Sequence, residues 1–192
     1  MKNWMWVLLI LVGSVMVYFF WPNEDRLPAM KSVEPFEMET MEGSTYDSEN
    51  NKIKLVAFFY TNCPDICPLT FVDLKQLQKQ LKDKDKFGSE VEFVTITLDP
   101  EFDTTERLVR YAEAFDVDST GWKVVRTNLD YTNEIATDFQ MNFKKEDNFI
   151  THGTKMFLVD NDHKIRAIYD MANPEEKVDL NQILDDLDYL LQ

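Results

Sequence analysis

The stretch Ile53-Lys54-Leu55-Val56-Ala57-Phe58-Phe59-Tyr60-Thr61-Asn62-Cys63-Pro64-Asp65-Ile66-Cys67-Pro68 decides how this 192-residue chain is read. Residues 53–60 are mostly apolar on both faces, the pattern of a buried central strand. The cysteines that follow are the only two in the chain. From Pro68 onward Leu74, Leu77 and Leu81 recur at helical spacing, with Lys75, Gln78, Lys79 and Lys82 on the other face, and Gly88 closes the segment. A dithiol where a strand hands over to a helix can cycle between thiols and a disulfide, or hold a soft metal ion.

Outward from that stretch the elements alternate. Residues 36–40 and the turn Glu42-Gly43-Ser44 suggest an opening hairpin. Residues 91–98 form a second β-branched strand, stopped by Asp99-Pro100, and 104–115 a helix capped by Thr104 or Thr105. A strand is expected at 122–126, a short helix at 132–139, a hairpin of 156–159 with 165–169 around Asn161-Asp162-His163, and a closing helix over 174–191. This order predicts an α/β fold, a mixed sheet with helices on both faces. A reactive pair at the end of the first long strand and the opening of a helix is thioredoxin-like placement.

Residues 4–21 run for 18 positions with only Gly13, Ser14 and the Tyr18 hydroxyl as polar interruptions, which reaches the lower limit for a membrane span. Lys2 marks the cytoplasmic end. The run ends in Phe19-Phe20-Trp21-Pro22, unlike a signal-peptide cut site, so residues 1–22 are read as an uncleaved anchor; a signal peptide cut near Ala29 is the alternative. No cysteine precedes position 63, which excludes lipid attachment through an N-terminal cysteine. Residues 23–33 are the expected linker and 34–192 one globular domain on the extracytoplasmic side of the cell membrane. The balance of 35 acidic against 20 basic residues, a net charge of −15, repels nucleic acid and anionic headgroups.

Four-residue spacing places Cys63 and Cys67 about 5 to 6 Å apart at Cβ if the loop is helical, within disulfide reach and able to grip one ion. Pro68 interrupts a helix through both cysteines, so the regular helix is expected from Pro68, with Cys67 near its cap. The helix N-terminus then lowers both thiol pKa values, while apolar burial opposes this. A structural disulfide is the bland reading, but so short a loop gains little entropy on closure. A metal site needs a third donor. Of two histidines, His152 in Thr151-His152-Gly153-Thr154 precedes the strand 156–159, in the loop that faces the dithiol in a thioredoxin-like topology, and the proline thioredoxins carry there is missing. Two thiolates and an imidazole suit Cu(I), and with added oxygen ligands Cu(II). Structural zinc wants a second cysteine pair, which does not exist. His163 reads as a turn residue and the nine methionines as packing. Asp99, ending a neighbouring strand, is a candidate to support the ligands from behind; Asp65 adds local acidity. A peroxidase wants an arginine near one thiol, and Arg107 and Arg110 lie far along the chain.

Phe59-Tyr60-Thr61-Asn62-Cys63-Pro64-Asp65-Ile66-Cys67-Pro68, Thr97-Leu98-Asp99-Pro100-Glu101-Phe102-Asp103-Thr104, and Thr151-His152-Gly153-Thr154 before Phe157-Leu158-Val159-Asp160 resemble the successive signatures of the Sco/SenC proteins over residues 33–190. The resemblance implies a membrane-tethered thioredoxin fold that binds copper through Cys63, Cys67 and His152 and helps assemble the binuclear copper centre of cytochrome c oxidase. Its implied partners are the copper-bearing oxidase subunit, a copper donor and a thiol-disulfide reductant. Two departures stand out: Gly153 replaces a serine or alanine common after the histidine, which predicts a more mobile loop, and Lys144 and Lys145 bring cations near the site that disfavour Cu(II). The rival is a thiol-disulfide oxidoreductase that keeps the cysteines of a copper-receiving protein reduced without carrying copper.

Overall fold

The computed structural model describes residues 2–20, 26–146 and 149–192. Lys2–Phe20 forms helix α1, which leaves Trp4, Trp6, Leu8, Ile10 and Leu11 exposed. Among the described residues no helix is long and apolar enough to cross a membrane. Positions 1 and 21–22 of the expected anchor, and 23–25 of the expected linker, lie outside the described residues. The transmembrane reading of 1–22 therefore rests on sequence alone.

The remainder of the expected linker is packed rather than free. Leu27 and Val33 are buried, the Leu27 carbonyl accepts from Arg166 Nε at 2.6 Å, and β1 (Lys31–Ser32) joins the sheet. β2 (Glu37–Thr40) and β3 (Thr45–Asp47) form the expected hairpin, reversed at Gly43 with φ +78°, where a missing Cβ removes the strain. β4 (Ile53–Phe59) is buried along its whole length, followed by α2 (Ile66–Asp83), β5 (Val91–Thr97), α3 (Thr105–Ala114), β6 (Trp122–Arg126) and α4 (Leu129–Asp138). A separate ribbon of β7 (Phe143–Glu146) and β8 (Phe149–His152) comes next, then β9 (Lys155–Val159), β10 (Lys164–Asp170) and α5 (Leu180–Leu190).

Eight strands assemble in the order β1-β10-β9-β4-β5-β6-β2-β3. β4, β5 and β6 run parallel, and β9 pairs antiparallel with β4. Strand alternation sends Phe58 and Phe59 to opposite faces. Phe59 packs on Phe71 of α2 and Tyr111 of α3, a cluster that extends to Phe115, Trp122 and Phe93. Phe58 packs on Phe157 and on Phe139 behind α4. The result is a thioredoxin-like mixed sheet with helices on both faces, as the element order predicts. β4 is thereby clamped in the centre of the core, and its C-terminal end presents the cysteine loop.

Element edges move where side-chain caps outrank the hydrophobic period. α4 starts at Leu129, three residues before the expected start, because the Oδ1 of its N-cap Asn128 accepts from Tyr131 N at 2.9 Å. α5 starts at Leu180, capped by Asp179, rather than at Pro174, because Asn173 Oδ1 accepts from the amides of Glu175 and Glu176 and holds that stretch in a turn. Gln78, expected on the solvent side of α2, is buried and bonds the 116–118 backbone through Asp116 O and Asp118 N.

Candidate metal centre

The helix at the dithiol begins two residues earlier than Pro68 predicts. Asp65 is the N-cap of α2, its carboxylate accepting from Ile66 N at 2.6 Å, so Cys67 lies inside the first turn. Pro68 is tolerated because first-turn amides have no intrahelical acceptor to lose. The role of Asp65 is thus local structure as well as charge. Cys63 stays in the preceding turn, with its amide on Tyr60 O at 3.2 Å, and its sulfur accepts from Cys67 N at 3.5 Å. Both cysteines are free thiols.

The two sulfurs part company electrostatically. Cys63 is half-buried, and its pKa is lowered from 9.0 to about 6, chiefly because the Cys67 thiol donates to its thiolate, with the amides of Cys67 and Asp65 adding to this against a desolvation cost. Cys67 is fully buried, and its pKa is raised, first by sharing that proton with Cys63 and then by burial. The expected lowering of both values is corrected to one: the hydrogen bond that favours the Cys63 thiolate keeps the proton on Cys67, and complete burial of that sulfur adds to the rise.

His152 is the last residue of β8 rather than a loop residue, because residues 143–146 and 149–152 pair as a ribbon that the hydrophobic pattern does not mark. Register pairs Phe143 with His152 and Lys145 with Ile150. Alternation puts Phe143, Lys145, Ile150 and His152 on one face of the ribbon. Ile150 is buried there, while Lys144, Thr151 and Phe149 are exposed. The imidazole is half-buried, packs edge-on against Tyr60 with centroids 6.0 Å apart, and has Nδ1 2.8 Å from Gly153 O. A carbonyl only accepts, so Nδ1 carries the proton and the lone pair sits on Nε2. Burial lowers the His152 pKa against the opposing Gly153 bond, which keeps the ring neutral at pH 7.

Cys63 and His152 line one cleft of about 160 Å³, together with Tyr60, Pro64, Ile66 and Phe149. Among the described residues, however, no three His, Cys, Asp or Glu side chains stand close enough to hold a metal ion. The cleft gathers the imidazole and the Cys63 thiol into one lining without closing a ligand set around a point. Tyr60 borders both groups: it is 1% exposed, its ring packs on the imidazole, and burial, with Cys63 beside it, pushes its phenol up to about 12.

Asp99 is not a wall of this cleft. Its carboxylate is buried and taken by Lys145 Nζ at 2.7 Å, with Glu101 a further 3.9 Å from the same ammonium. The cationic character expected at Lys145 is therefore neutralised, and Lys144 pairs with Glu146 at 2.6 Å on the exposed face. Gly153 is closely packed: a Cβ there would meet Met141 Sδ at 3.0 Å, so the missing side chain makes room for Met141.

Two residues escaped sequence reading. Asp103, fully buried, accepts from Thr61 N at 3.1 Å, from the Thr61 hydroxyl, and from Thr97 Oγ1 at 2.5 Å, tying the cysteine loop to the end of β5. Its place in the Asp-Pro signature was the available signal. Tyr111 has a buried hydroxyl without a hydrogen-bond partner, and its pKa is raised by burial and then by Cys67 and Cys63. No sequence pattern marks it.

These features define a thioredoxin-like domain with a polarised dithiol beside an imidazole-bearing ribbon. The chain belongs to the SCO1/SenC family, whose sequence pattern matches residues 24–185. It is 25% identical over 169 residues to the SCO1 protein homolog of Bacillus subtilis, covering 83% of each chain. Its fold is similar to that of a SCO1/SenC family lipoprotein from Bacillus anthracis, with a TM-score of 0.78, 25% identity, and coverage of 87% of this chain and 99% of that one. Yeast Sco1 crystallised with copper bound superposes with a TM-score of 0.66 at 21% identity, covering 82% of this chain and 89% of that one.

Proposed function

We propose that the protein is a membrane-anchored copper chaperone for the binuclear copper centre of cytochrome c oxidase, with Cys63, Cys67 and His152 as ligands. The observation that carries this reading is the shared cleft, lined by a thiol of depressed pKa and by an imidazole with Nε2 free. Two thiolates and one imidazole suit Cu(I). The yeast relative solved with copper, and the description of the Sco family as cytochrome c oxidase assembly proteins, support the same assignment. Copper is cargo, taken by the two sulfurs and the His152 imidazole. Thiol-disulfide exchange with a partner disulfide, which is itself reduced to two thiols as the Cys63–Cys67 bond forms, removes both thiolates and expels the ion, which couples loading to redox state. Residues 1–22 anchor the chain in the cell membrane with the N-terminus cytoplasmic, so that the domain meets an outward-facing oxidase subunit, a copper donor and a thiol reductant.

A second reading has its own support. A half-exposed thiol of low pKa backed by a buried thiol of high pKa is an attacking and resolving pair, suited to keeping the cysteines of a copper-receiving protein reduced. Anaerobic Cu(I) titration of the reduced full-length protein, with His152→Ala and Cys63→Ser/Cys67→Ser variants, separates the two. The chaperone reading expects one equivalent bound by wild type, strongly weakened by His152→Ala and abolished by the double change. Unchanged copper affinity in His152→Ala with intact dithiol exchange favours the reductant.

A further inference from the structure

We propose that Lys145 is a positioning residue for this centre: its ion pair with Asp99 fixes the β7–β8 ribbon, and through it the His152 imidazole, to the turn that also braces the cysteine loop. The proposal rests on the copper reading for its functional consequence, while its structural half stands without metal.

A two-stranded ribbon is marginal alone in water, and β7–β8 pairs with no strand of the main sheet. Side chains must dock it. Ile150, 2% exposed, and the partly buried Phe143 supply the apolar part. Apolar contacts are non-directional, so they leave the ribbon free to slide. A directional tie at the β7 strand is Lys145 Nζ on Asp99 Oδ1 at 2.7 Å, made from the same face as His152, and it acts beside the hydrogen bond of the Tyr60 phenol with the Ile150 backbone on β8. Asp99 sits on a turn that Asp103 closes by donating its amide to Asp99 O at 2.8 Å, and the Asp103 carboxylate holds Thr61, two residues before Cys63. One turn thereby grips both halves of the site, the sulfurs through Asp103 and the imidazole through Asp99 and Lys145. Loss of Lys145 strands a buried carboxylate and frees the ribbon. The fraction of molecules with His152 poised at the cleft then falls, and apparent metal affinity falls by that fraction.

The test uses the full-length protein as wild type, Lys145→Met, Lys145→Arg and Asp99→Asn/Lys145→Met, the last leaving no buried charge unpaired if the single change impairs folding. In the metal-free protein, amide exchange of residues 143–146 and 149–152 should quicken about three- to ten-fold in Lys145→Met, the factor expected for a partly buried ion pair, while β4 and β5 stay protected. Lys145→Arg should restore wild-type exchange. Cu(I) affinity should weaken by a similar factor in Lys145→Met, and the same change made in a His152→Ala background should have no further effect. Unchanged ribbon exchange, tighter copper binding, or an equal loss in the His152→Ala background would overturn the proposal. A wild type that binds no copper would overturn the chaperone reading instead, leaving metal-free exchange to decide the tie.

Discussion

Removal of the Asp103 carboxylate should loosen the cysteine loop at a cost set by what it leaves unpaired. Asp103→Ala strands the Thr61 amide, the Thr61 hydroxyl and the Thr97 hydroxyl. A net hydrogen bond is worth about 1 kcal/mol, and more when the abandoned donor is dry. Thr97 is fully buried but half-buried Thr61 can recover water, so the loss should be about 3 kcal/mol. Asp103→Asn should cost much less, about 1 kcal/mol, because the threonine hydroxyl facing the new NH2 group can reverse and accept from it while the other keeps donating to the amide oxygen. Burial, moreover, already outweighs the hydrogen bonds in raising the Asp103 pKa above 3.8, so the charged form is the disfavoured one. The sign of the pH dependence follows. A carboxyl whose folded pKa is raised stabilises fully below its unfolded value of 3.8, and that contribution is lost as pH rises through the folded value. Urea denaturation of the reduced protein should therefore give an Asn variant whose stability, relative to wild type, improves as pH rises from 3.8 upward. An Ala variant within about 1 kcal/mol of wild type, or an Asn variant as damaged as Ala, would refute the bracing role.

Two further outcomes follow from the dithiol and its surroundings. Iodoacetamide should modify Cys63 with a pH midpoint of about 6, far below the ordinary 9.0, while Cys67 resists at neutral pH; mass spectrometry across pH 5 to 9 on the order of one-unit steps reads this directly, and simultaneous labelling of both sulfurs would contradict the polarised pair. Tyr111→Phe removes a buried hydroxyl that has no partner, and should stabilise the metal-free protein by up to about 1 kcal/mol in thermal or urea unfolding. Destabilisation by a similar amount would mean that the hydroxyl is engaged.

The buried strand, the helix behind the cysteines and the alternation of elements are legible because the hydrophobic period that marks them also builds the core. β4 is buried at every position, and Leu74, Leu77 and Leu81 point inward as their spacing requires. The ribbon of 143–146 and 149–152 is not legible: Phe-Lys-Lys-Glu carries too little apolar signal, and what docks it is long-range, through Ile150, Phe143, Tyr60 and the Lys145–Asp99 ion pair. Helix starts slip because Asp65, Asn128 and Asp179 act as caps through single hydrogen bonds that hydrophobic periodicity does not register. The split between the thiols is likewise tertiary, since it depends on the hydrogen bond that leaves the proton on Cys67 and then on the full burial of that sulfur. Asp103 was visible in a recognisable signature, yet its role required knowing that Thr61 and Thr97 converge on it.

X-ray absorption at the copper edge of the anaerobically loaded, full-length protein tests the central claim most directly. Two sulfur donors and one imidazole nitrogen are expected, with the nitrogen absent in His152→Ala and the sulfurs absent in Cys63→Ser/Cys67→Ser. A wild-type spectrum without sulfur, or one identical in the His152→Ala variant, would contradict the three-ligand site.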